Sequence, residues 1–295
     1  MAFPVGRAIP VAVVSVAMLF AASGTASAGT VCDLSTATAN TDVSCTYGGA
    51  WFQTNEQHPT GTGFIDSFLR VQQKGWEQGY NTNARPVQFD EKTDPNFTRN
   101  LTLAEVGKKD IGGVMYREFF LDVNEPGATN GQKNLITLDQ LEIFVSNTAS
   151  LNKYATGSNC QLQANDANTA AGKLTDGSAN CADNDSTKIF DLDAGGDADI
   201  KLDYLVKGSG SGSSDMAFYL RDSLFTGYNY VYLFSQFGDI TGNNAYKFES
   251  QAGFEEWFTK SSIPPVNIQA VPEPTTLLLL GSGLAVAALR RRRRA

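Results

Sequence analysis

Hydrophobic residues occupy every second position along several runs of the chain, and this alternation constrains the fold more than any other feature of the sequence. A period of two places the apolar residues on one face of a strand, and no long window shows the 3.6-residue period of a helix. Turn-forming segments such as residues 124–127 and 130–131 separate the runs. The pattern predicts an all-β protein, an antiparallel β-sandwich of jelly-roll type, in which each sheet has one packed face and one solvated face. The alternating positions are Phe119, Leu121 and Val123; Leu141, Ile143 and Val145; Ile200, Leu202, Tyr204 and Val206; Met216, Phe218 and Leu220; and Tyr228, Tyr230, Tyr232 and Phe234.

The runs all lie within residues 29–270, and no internal stretch there has both the length and the composition of a linker. The sequence therefore predicts one domain over this range. The glycine- and serine-rich residues 208–214 are typical of a flexible loop between two strands. Residues 253–260 carry aromatic side chains at helical spacing, and both a short helix and a last strand stay open for them.

Residues 1–28 have the three parts of a secretory signal peptide. Arg7 stands in a short basic region, a 12-residue apolar run follows over residues 11–22, and Ala26 and Ala28 give the small-x-small pattern of a cleavage site. The apolar run is shorter than the roughly 20 residues of a membrane-spanning helix. The sequence predicts cleavage after Ala28 and export of the rest of the chain.

Residues 271–295 carry a second set of targeting features. Val271, Pro272, Glu273 and Pro274 precede an apolar run of 15 residues, and an arginine cluster follows. As a helix the run is about 22 Å long, so it spans the roughly 30 Å hydrocarbon core only where the bilayer thins or the arginines reach back to the interface. Basic residues stay in the cytoplasm, which predicts a short transmembrane helix with the body outside and the tail inside. The cluster consists of Arg290, Arg291, Arg292, Arg293 and Arg294.

The tail resembles the PEP-CTERM sorting signal of Gram-negative bacteria in the order of its parts: Pro272-Glu273-Pro274, a leucine run, Gly281-Ser-Gly283 and the terminal arginines. The resemblance implies that an exosortase, a membrane-embedded transpeptidase-like enzyme, recognises the motif and removes the tail. It implies a substrate role for the Pro-Glu-Pro residues, with the catalytic residues in the sorting enzyme. The body is also similar to segments of uncharacterised PEP-CTERM proteins, and no activity accompanies that likeness. The similar segments are residues 77–81, 88–90, 138–144, 230–234 and 253–257.

The charge balance limits the partners of the protein. The chain has 23 basic and 31 acidic residues and a net charge of −8, and removal of both ends leaves 17 bases against 30 acids, about −13. Such a surface repels phosphate backbones, so nucleic acid is excluded as a partner. The expected partners are the exosortase-type enzyme, the inner membrane before processing and, at the cell surface or in the extracellular matrix, an exopolysaccharide.

The four cysteines, Cys32, Cys45, Cys160 and Cys181, are an even number in an exported chain, which predicts two disulfides. Of the three pairings that four cysteines allow, the local one joins Cys32 to Cys45 and Cys160 to Cys181. We favour it because it closes the smaller loops, each of which stabilises the fold by roughly 3 kcal/mol on a chain-entropy basis. A zinc site is disfavoured because no C-x₂-C spacing occurs.

Four carboxylates stand around two glycines in residues 191–199. Asp191, Asp193, Asp197 and Asp199 offer hard oxygen ligands on a bendable loop, which is what Ca²⁺ requires. The spacing departs from an EF-hand, because Leu202 occupies the twelfth position. Aspartate and glycine also populate ordinary turns, so a calcium site and a solvated turn both stay open.

The residues that suggest enzymatic or sugar-binding chemistry are less specific. The only histidine, His58, lacks a Gly-x-Ser-x-Gly elbow that would accompany a serine hydrolase. Carboxylate pairs suited to glycoside hydrolysis are Glu255 with Glu256, and Glu118 with Glu142. Aromatic faces that can stack on sugars, or that pack in the core instead, belong to Trp51, Trp76, Trp257 and the ladder Tyr228, Tyr230 and Tyr232.

Taken together, the sequence predicts an exported, non-enzymatic envelope or extracellular-matrix protein that is sorted through its C-terminal signal. The alternative is an extracellular carbohydrate-binding module or a glycan-acting hydrolase. An exposed row of aromatics beside a groove would favour the first of these, and two convergent carboxylates in that groove would favour the second.

Overall fold

The computed structural model describes residues 32–54, 65–127, 129–149, 151–156, 172–175, 186–196, 198–206, 214–238, 248–251 and 253–260. Both predicted targeting segments, residues 1–28 and 271–295, therefore lie outside the described residues, as do His58, Cys160, Cys181 and Asp197.

Within these ranges the chain forms eighteen strands and three short 3₁₀ helices. The strands are β1 Cys32–Asp33, β2 Ser44–Tyr47, β3 Ala50–Thr54, β4 Ile65–Val71, β5 Lys74–Gly75, β6 Glu77–Tyr80, β7 Leu101–Thr102, β8 Gly107–Ile111, β9 Val114–Val123, β10 Leu135–Ser146, β11 Lys153–Thr156, β12 Gly172–Thr175, β13 Thr187–Asp191, β14 Ile200–Asp203, β15 Met216–Arg221, β16 Tyr230–Phe237, β17 Ser250–Gln251 and β18 Glu255–Lys260. The 3₁₀ helices are η1 Leu34–Thr36, η2 Asn130–Gln132 and η3 Asp222–Phe225.

Two seven-stranded sheets contain most of the strands. The first sheet has the order β1-β14-β10-β16-β6, with β13 paired to β10 and β7 to β16. The second has the order β2-β3-β15-β9-β18-β4, with β8 paired to β9. The described pairs are antiparallel except at one edge, where β1 runs parallel to β14 through Cys32 and Asp33. The prediction of a purely antiparallel arrangement is wrong at that edge, because the open edge of β14 can pair with a short strand in either direction and β1 aligns Cys32 with Ile200 and Asp33 with Lys201.

One hydrophobic core lies between the two sheets. Ile143 of β10 and Leu233 of β16 belong to it from the first sheet, and Phe218 of β15 and Trp257 of β18 from the second. The indole Nε1 of Trp257 donates to the hydroxyl of Ser235 on the opposite sheet at 3.1 Å, so even the polar atom of this side chain is satisfied inside. The all-β prediction is confirmed, and a shared core between two sheets is the arrangement of a β-sandwich. The jelly-roll connectivity stays a prediction.

The outer faces differ from the prediction of one solvated face per sheet. On the first sheet, Phe144, Tyr232 and Phe234 point away from the core, and the segment with Leu151 and Tyr154 covers them in a second buried cluster. A third cluster with Phe120, Ala217, Tyr219 and Phe258 occupies the outer face of the second sheet. The expectation of a wet outer face is wrong at these positions. The alternation that predicts strands cannot show that loops and aromatic neighbours bury the second face as well.

The C-terminal part of the body settles the question about residues 253–260. Residues Glu255–Lys260 form β18, which pairs with β4 on one side and β9 on the other. The aromatic residues that suggested helical spacing divide between the two faces, with Trp257 in the core and Phe258 outside. Within the described parts of the chain, no helix has the length and hydropathy needed to cross a membrane.

Candidate functional site

The first cysteine pair is a disulfide, as the sequence predicts. Cys32 on β1 is bonded to Cys45 on β2, with Cα atoms 6.2 Å apart and a separation of 13 positions in the chain. These two strands are the edge strands of different sheets. The bond therefore closes one edge of the sandwich as well as a small loop. The predicted Cys160–Cys181 bond lies outside the described residues and stays a prediction.

Two carboxylates of the aspartate-rich loop, those of Asp191 and Asp193, accept hydrogen bonds within the turn. Asp191 accepts the amide of Asp193 at 3.0 Å and also pairs with Lys188. Asp193 in turn accepts the amide of Ala198 at 3.0 Å. Asp199 is buried, and its carbonyl accepts the amide of Cys32 at 2.9 Å. These contacts show that Asp191 and Asp193 stabilise the turn.

Calcium binding by this loop stays a prediction, because Asp197 belongs to the part of the chain left undescribed. Among the described residues, no group of three or more histidine, cysteine or carboxylate side chains has an arrangement that fits a metal ion. Asp191, Asp193 and Asp199 therefore do not form such a group by themselves. A fourth ligand from Asp197 is what the calcium prediction requires.

A buried ionic network on the outer face of the first sheet was not predicted from the sequence. Glu142 is fully buried, and Lys188 donates to its Oε1 at 2.6 Å while the Tyr154 hydroxyl donates to its Oε2 at 2.8 Å. Gln140 adds an amide donor to Oε1 at 3.2 Å. The only sequence signal is a lysine beside the apolar pair Ile189 and Phe190, three residues before Asp191.

Two opposing effects set the ionisation of this network. Burial raises the pKa of Glu142 to about 7, against the attraction of the Lys188 ammonium. Burial alone would lower the pKa of Lys188, but the charges of Glu142 and Asp191 outweigh it and raise that pKa. The lysine therefore stays charged under a cover of aromatic side chains, and it holds the carboxylate in place. The network joins β10, β13 and β11, and both carboxylate oxygens of Glu142 accept hydrogen bonds within it.

The carboxylate pairs proposed for glycoside hydrolysis are separated by the fold. Glu142 lies on the outer face of the first sheet, whereas Glu118 lies on the outer face of the second, where it pairs with Lys260 at 3.1 Å. The whole core separates them. A hydrolase needs two carboxyl groups within about 5–9.5 Å across one sugar, so Glu118 and Glu142 cannot act as that pair.

Glu255 and Glu256 are neighbours on one strand and therefore point to opposite faces. Glu256 accepts Arg70 at 2.8 Å through each oxygen, and the Arg70 guanidinium lies 3.5 Å from the Phe97 ring and 4.2 Å from that of Phe254. Glu255 is on the core side with no exposed surface. This pair too fails the geometric requirement of two convergent carboxylates.

A further pair of buried acids lies where β5 meets β17. Glu77 accepts the Gln73 amide at 2.6 Å, and both oxygens of Glu125 accept the Gln251 amide at 3.1 and 3.0 Å. Burial raises the pKa of Glu77 to about 8, and the charge of Glu125 adds to that rise. Burial also raises the pKa of Glu125, to about 7. Both acids therefore take up protons near neutral pH, and the sequence offered no sign of it.

The aromatic residues do not form the exposed row that sugar stacking needs. Tyr232 and Trp257 have no exposed surface, and Tyr230 is only partly exposed. Trp51 is half-buried and packs on Tyr219 with ring centroids 5.4 Å apart. Trp76 is the exposed member of the set, 37% accessible and away from the tyrosine ladder. The ladder is a packing element in the described structure.

Comparisons with known proteins concern only the C-terminal segment. No curated protein and no solved structure matches the chain. Residues 270–294 match the family model described as the PEP-CTERM protein-sorting motif. The match covers the Pro-Glu-Pro residues, the apolar run and the arginine cluster. The chain therefore carries a PEP-CTERM protein-sorting motif at residues 270–294.

Proposed function

We propose that this is an exported, non-enzymatic protein of the cell envelope or extracellular matrix, held at the inner membrane by its tail until an exosortase-type enzyme removes that tail. The PEP-CTERM motif at residues 270–294 carries the proposal. The signal peptide predicted at residues 1–28 supports export across the inner membrane. The final location at the cell surface, and an exopolysaccharide partner there, are the finer parts of the proposal.

Each part of the tail has a physical task in this proposal. The arginines resist transfer across the membrane, so they keep the end of the tail in the cytoplasm. The apolar run is shorter than the bilayer core and is a weak anchor, which suits a segment that is held only until it is processed. Proline disfavours helical backbone at the residue before it, so Pro274 acts on Glu273 and Pro272 on Val271 to favour the extended form in which we expect the enzyme to bind the motif.

The described body supports a non-enzymatic role. The carboxylate pairs predicted for hydrolysis lie on opposite faces, and the buried Glu142 is fully engaged by Lys188 and Tyr154. A general acid must reach the proton acceptor of its substrate, which an acid sealed under aromatic cover does not. The buried acids act as structural groups in this proposal.

The sorting step is tested by replacing the motif. A chain with Pro272→Ala, Glu273→Gln and Pro274→Ala, tagged within the body, is expected to stay in the inner membrane with its tail attached. The matched control is Pro264→Ala with Pro265→Ala, which removes two prolines from the same tail and should leave processing unchanged. If the motif variant is processed and released like the wild type, the motif is incidental and the tail is an ordinary anchor.

Deletion of residues 290–294 tests the membrane stop separately. Without the arginines the short apolar run loses its cytoplasmic hold, so unprocessed protein should appear in the medium with the rest of its tail attached. The intact mass of wild-type protein from its native host is the complementary measurement. It should correspond to a chain that begins at Gly29 and lacks the five arginines, and a mass that retains them would contradict processing of the tail.

A further inference from the structure

The last strand of the body leaves the sandwich at a defined end. β18 ends at Lys260, where the ammonium pairs with Glu118 of β9 at 3.1 Å. Strand β8 continues along the same edge of β9, because its first residue, Gly107, pairs with Glu118. The chain toward the sorting motif therefore departs beside the start of β8. We call this side of the molecule the exit end.

The β8–β9 hairpin extends the exit end. Its turn is Gly112–Gly113, and both glycines have positive φ, 62° and 84°, as a two-residue type I′ turn requires. The Gly113 amide donates to Asp110 at 2.8 Å and closes the turn. From Glu118 to Val114 the hairpin runs four residues past the level of Lys260, about 13 Å at 3.3 Å per residue.

Exposed hydrophobic side chains gather at the same end. Val114 and Met115, at the hairpin tip, are 38% and 41% exposed, and Leu224 of η3 is 41% exposed. Helix η3 is held beside the hairpin because Asp222 pairs with Lys108 at 2.8 Å and with Arg117 at 2.6 Å.

The opposite end offers less apolar surface. Strand β16 starts beside η3 and ends at Phe237, which pairs with Glu77. Trp76 precedes Glu77 and is therefore at the far end. It is the one large exposed hydrophobic residue among the described ranges that does not belong to the exit end.

Four carboxylates at the exit end are paired with bases, and Asp110 in the hairpin accepts the Gly113 amide instead. The described ion pairs there are Asp66 and Glu105 with Arg99, Glu118 with Lys260, and Asp222 with Lys108 and Arg117. Exposed Lys109 and Arg221 add positive charge. The body is acidic overall, so this end is the part of its surface that an anionic lipid surface repels least.

The chain length between body and motif keeps this end close to the membrane. Residues 261–274 separate Lys260 from the apolar run that begins at Thr275. Fourteen residues span at most about 50 Å when fully extended. The hairpin tip reaches about 13 Å beyond Lys260 on the side from which this connection leaves, so it is the part of the described body that the connection holds toward the bilayer.

We propose that the exit end, comprising the β8–β9 hairpin tip and η3, rests on the outer surface of the inner membrane while the tail is still attached, with Val114, Met115 and Leu224 inserted among the lipid headgroups. This inference rests on the proposed function, because it needs the tail-anchored state. Exposed aliphatic side chains flanked by lysine and arginine are suited to that interface. The contact orients the body and so places the Pro-Glu-Pro motif at a constant height for the processing enzyme.

The experiment uses the full chain reconstituted into vesicles of phosphatidylethanolamine and phosphatidylglycerol. Met115→Trp and Leu224→Trp each place an indole at the exit end, and Lys74→Trp places one at an exposed position of the far end. Emission from each variant is compared with that of the wild type, with and without lipids brominated near the headgroup. The two exit-end variants are expected to lose their added emission to the brominated lipid and to shift to shorter wavelength, whereas Lys74→Trp should do neither.

Flotation of the same vesicles separates the inference from the proposed function. If the protein floats with the vesicles but the exit-end indoles are no more quenched than that of Lys74→Trp, the membrane contact is wrong and the anchoring stands. If the protein does not float, the anchoring by the tail is wrong and the contact proposed here is overturned with it.

Discussion

The disulfide between Cys32 and Cys45 joins the edge strand of one sheet to the edge strand of the other, with Cα atoms 6.2 Å apart. Strand β1 has only two residues and one short parallel partner, so its backbone pairing alone holds it weakly. The covalent bond fixes this strand to the second sheet and closes the core at that edge.

Removal of this bond should lower the stability of the body measurably. For Cys32→Ser with Cys45→Ser, we expect the free energy of unfolding to fall by about 3 kcal/mol, because the unfolded chain regains the entropy of a small loop. Urea unfolding of variant and wild type under non-reducing conditions measures the difference. Equal stability of the two proteins would show that the bond contributes nothing to the fold.

The second predicted disulfide is accessible to peptide mapping. Non-reducing digestion should yield a Cys160–Cys181 peptide beside the Cys32–Cys45 peptide, because the first pair already consumes two of the four cysteines. Reduced samples provide the control for the assignment. Free thiols at Cys160 and Cys181 would contradict the prediction.

Loss of the buried lysine should destabilise the body more than loss of an exposed one. Lys188→Met leaves the Glu142 carboxylate buried without its cation, and we expect about 3–5 kcal/mol less stability at pH 8. At pH 6 the loss should be smaller, since Glu142, whose pKa is about 7, then binds a proton. Lys108→Met, at a pair whose lysine and aspartate are 46% and 24% exposed, is the matched control and should cost less than about 1 kcal/mol. Equal losses in the two variants would contradict this account.

The stability of the body should fall as the pH rises from about 5 to about 8. The folded-state pKa of Glu77 is about 8, above its ordinary value of 4.5, so the folded protein binds more protons than the unfolded chain in this interval. The stabilisation is therefore complete below the unfolded pKa and is lost as the pH approaches the folded one. Glu125, with a pKa raised to about 7, acts in the same direction.

Urea unfolding across this pH range measures the effect. Glu77→Gln should flatten the profile, because an amide does not ionise and carries no charge to bury at pH 8. Glu249→Gln removes an exposed carboxylate nearby and is the control for the change in net charge. A Glu77→Gln profile as steep as that of the wild type would mean that other groups set the dependence.

Several strands could be predicted from the sequence because their periodicity is local. The runs at 119–123, 141–145 and 216–220 fall within β9, β10 and β15, and their alternating residues point into the core. Tyr228 was predicted to continue the β16 run, but the strand begins at Tyr230. A turn residue cannot be told from a strand residue by alternation alone.

The candidate sites were harder to predict because they depend on which faces meet. Nothing in the sequence shows that Glu118 and Glu142 are far apart, yet the hydrophobic core lies between them. The sequence signal at Lys188 is weak, because this lysine matters through its ion pair with Glu142, which lies 46 positions away in the chain. Tertiary contacts of that kind have no local pattern.

The sequence by itself determined the all-β class, the first disulfide and the sorting motif, because each depends on residues close together in the chain: a period of two, a loop of small size and a short linear signal. Only the tertiary structure decided which carboxylates are buried, which aromatics are covered, and that Val114, Met115 and Leu224 share one end of the sandwich. The physical reason is that burial and charge pairing depend on packing between segments distant in sequence, whose solvent exposure is set when the two sheets close over a common core.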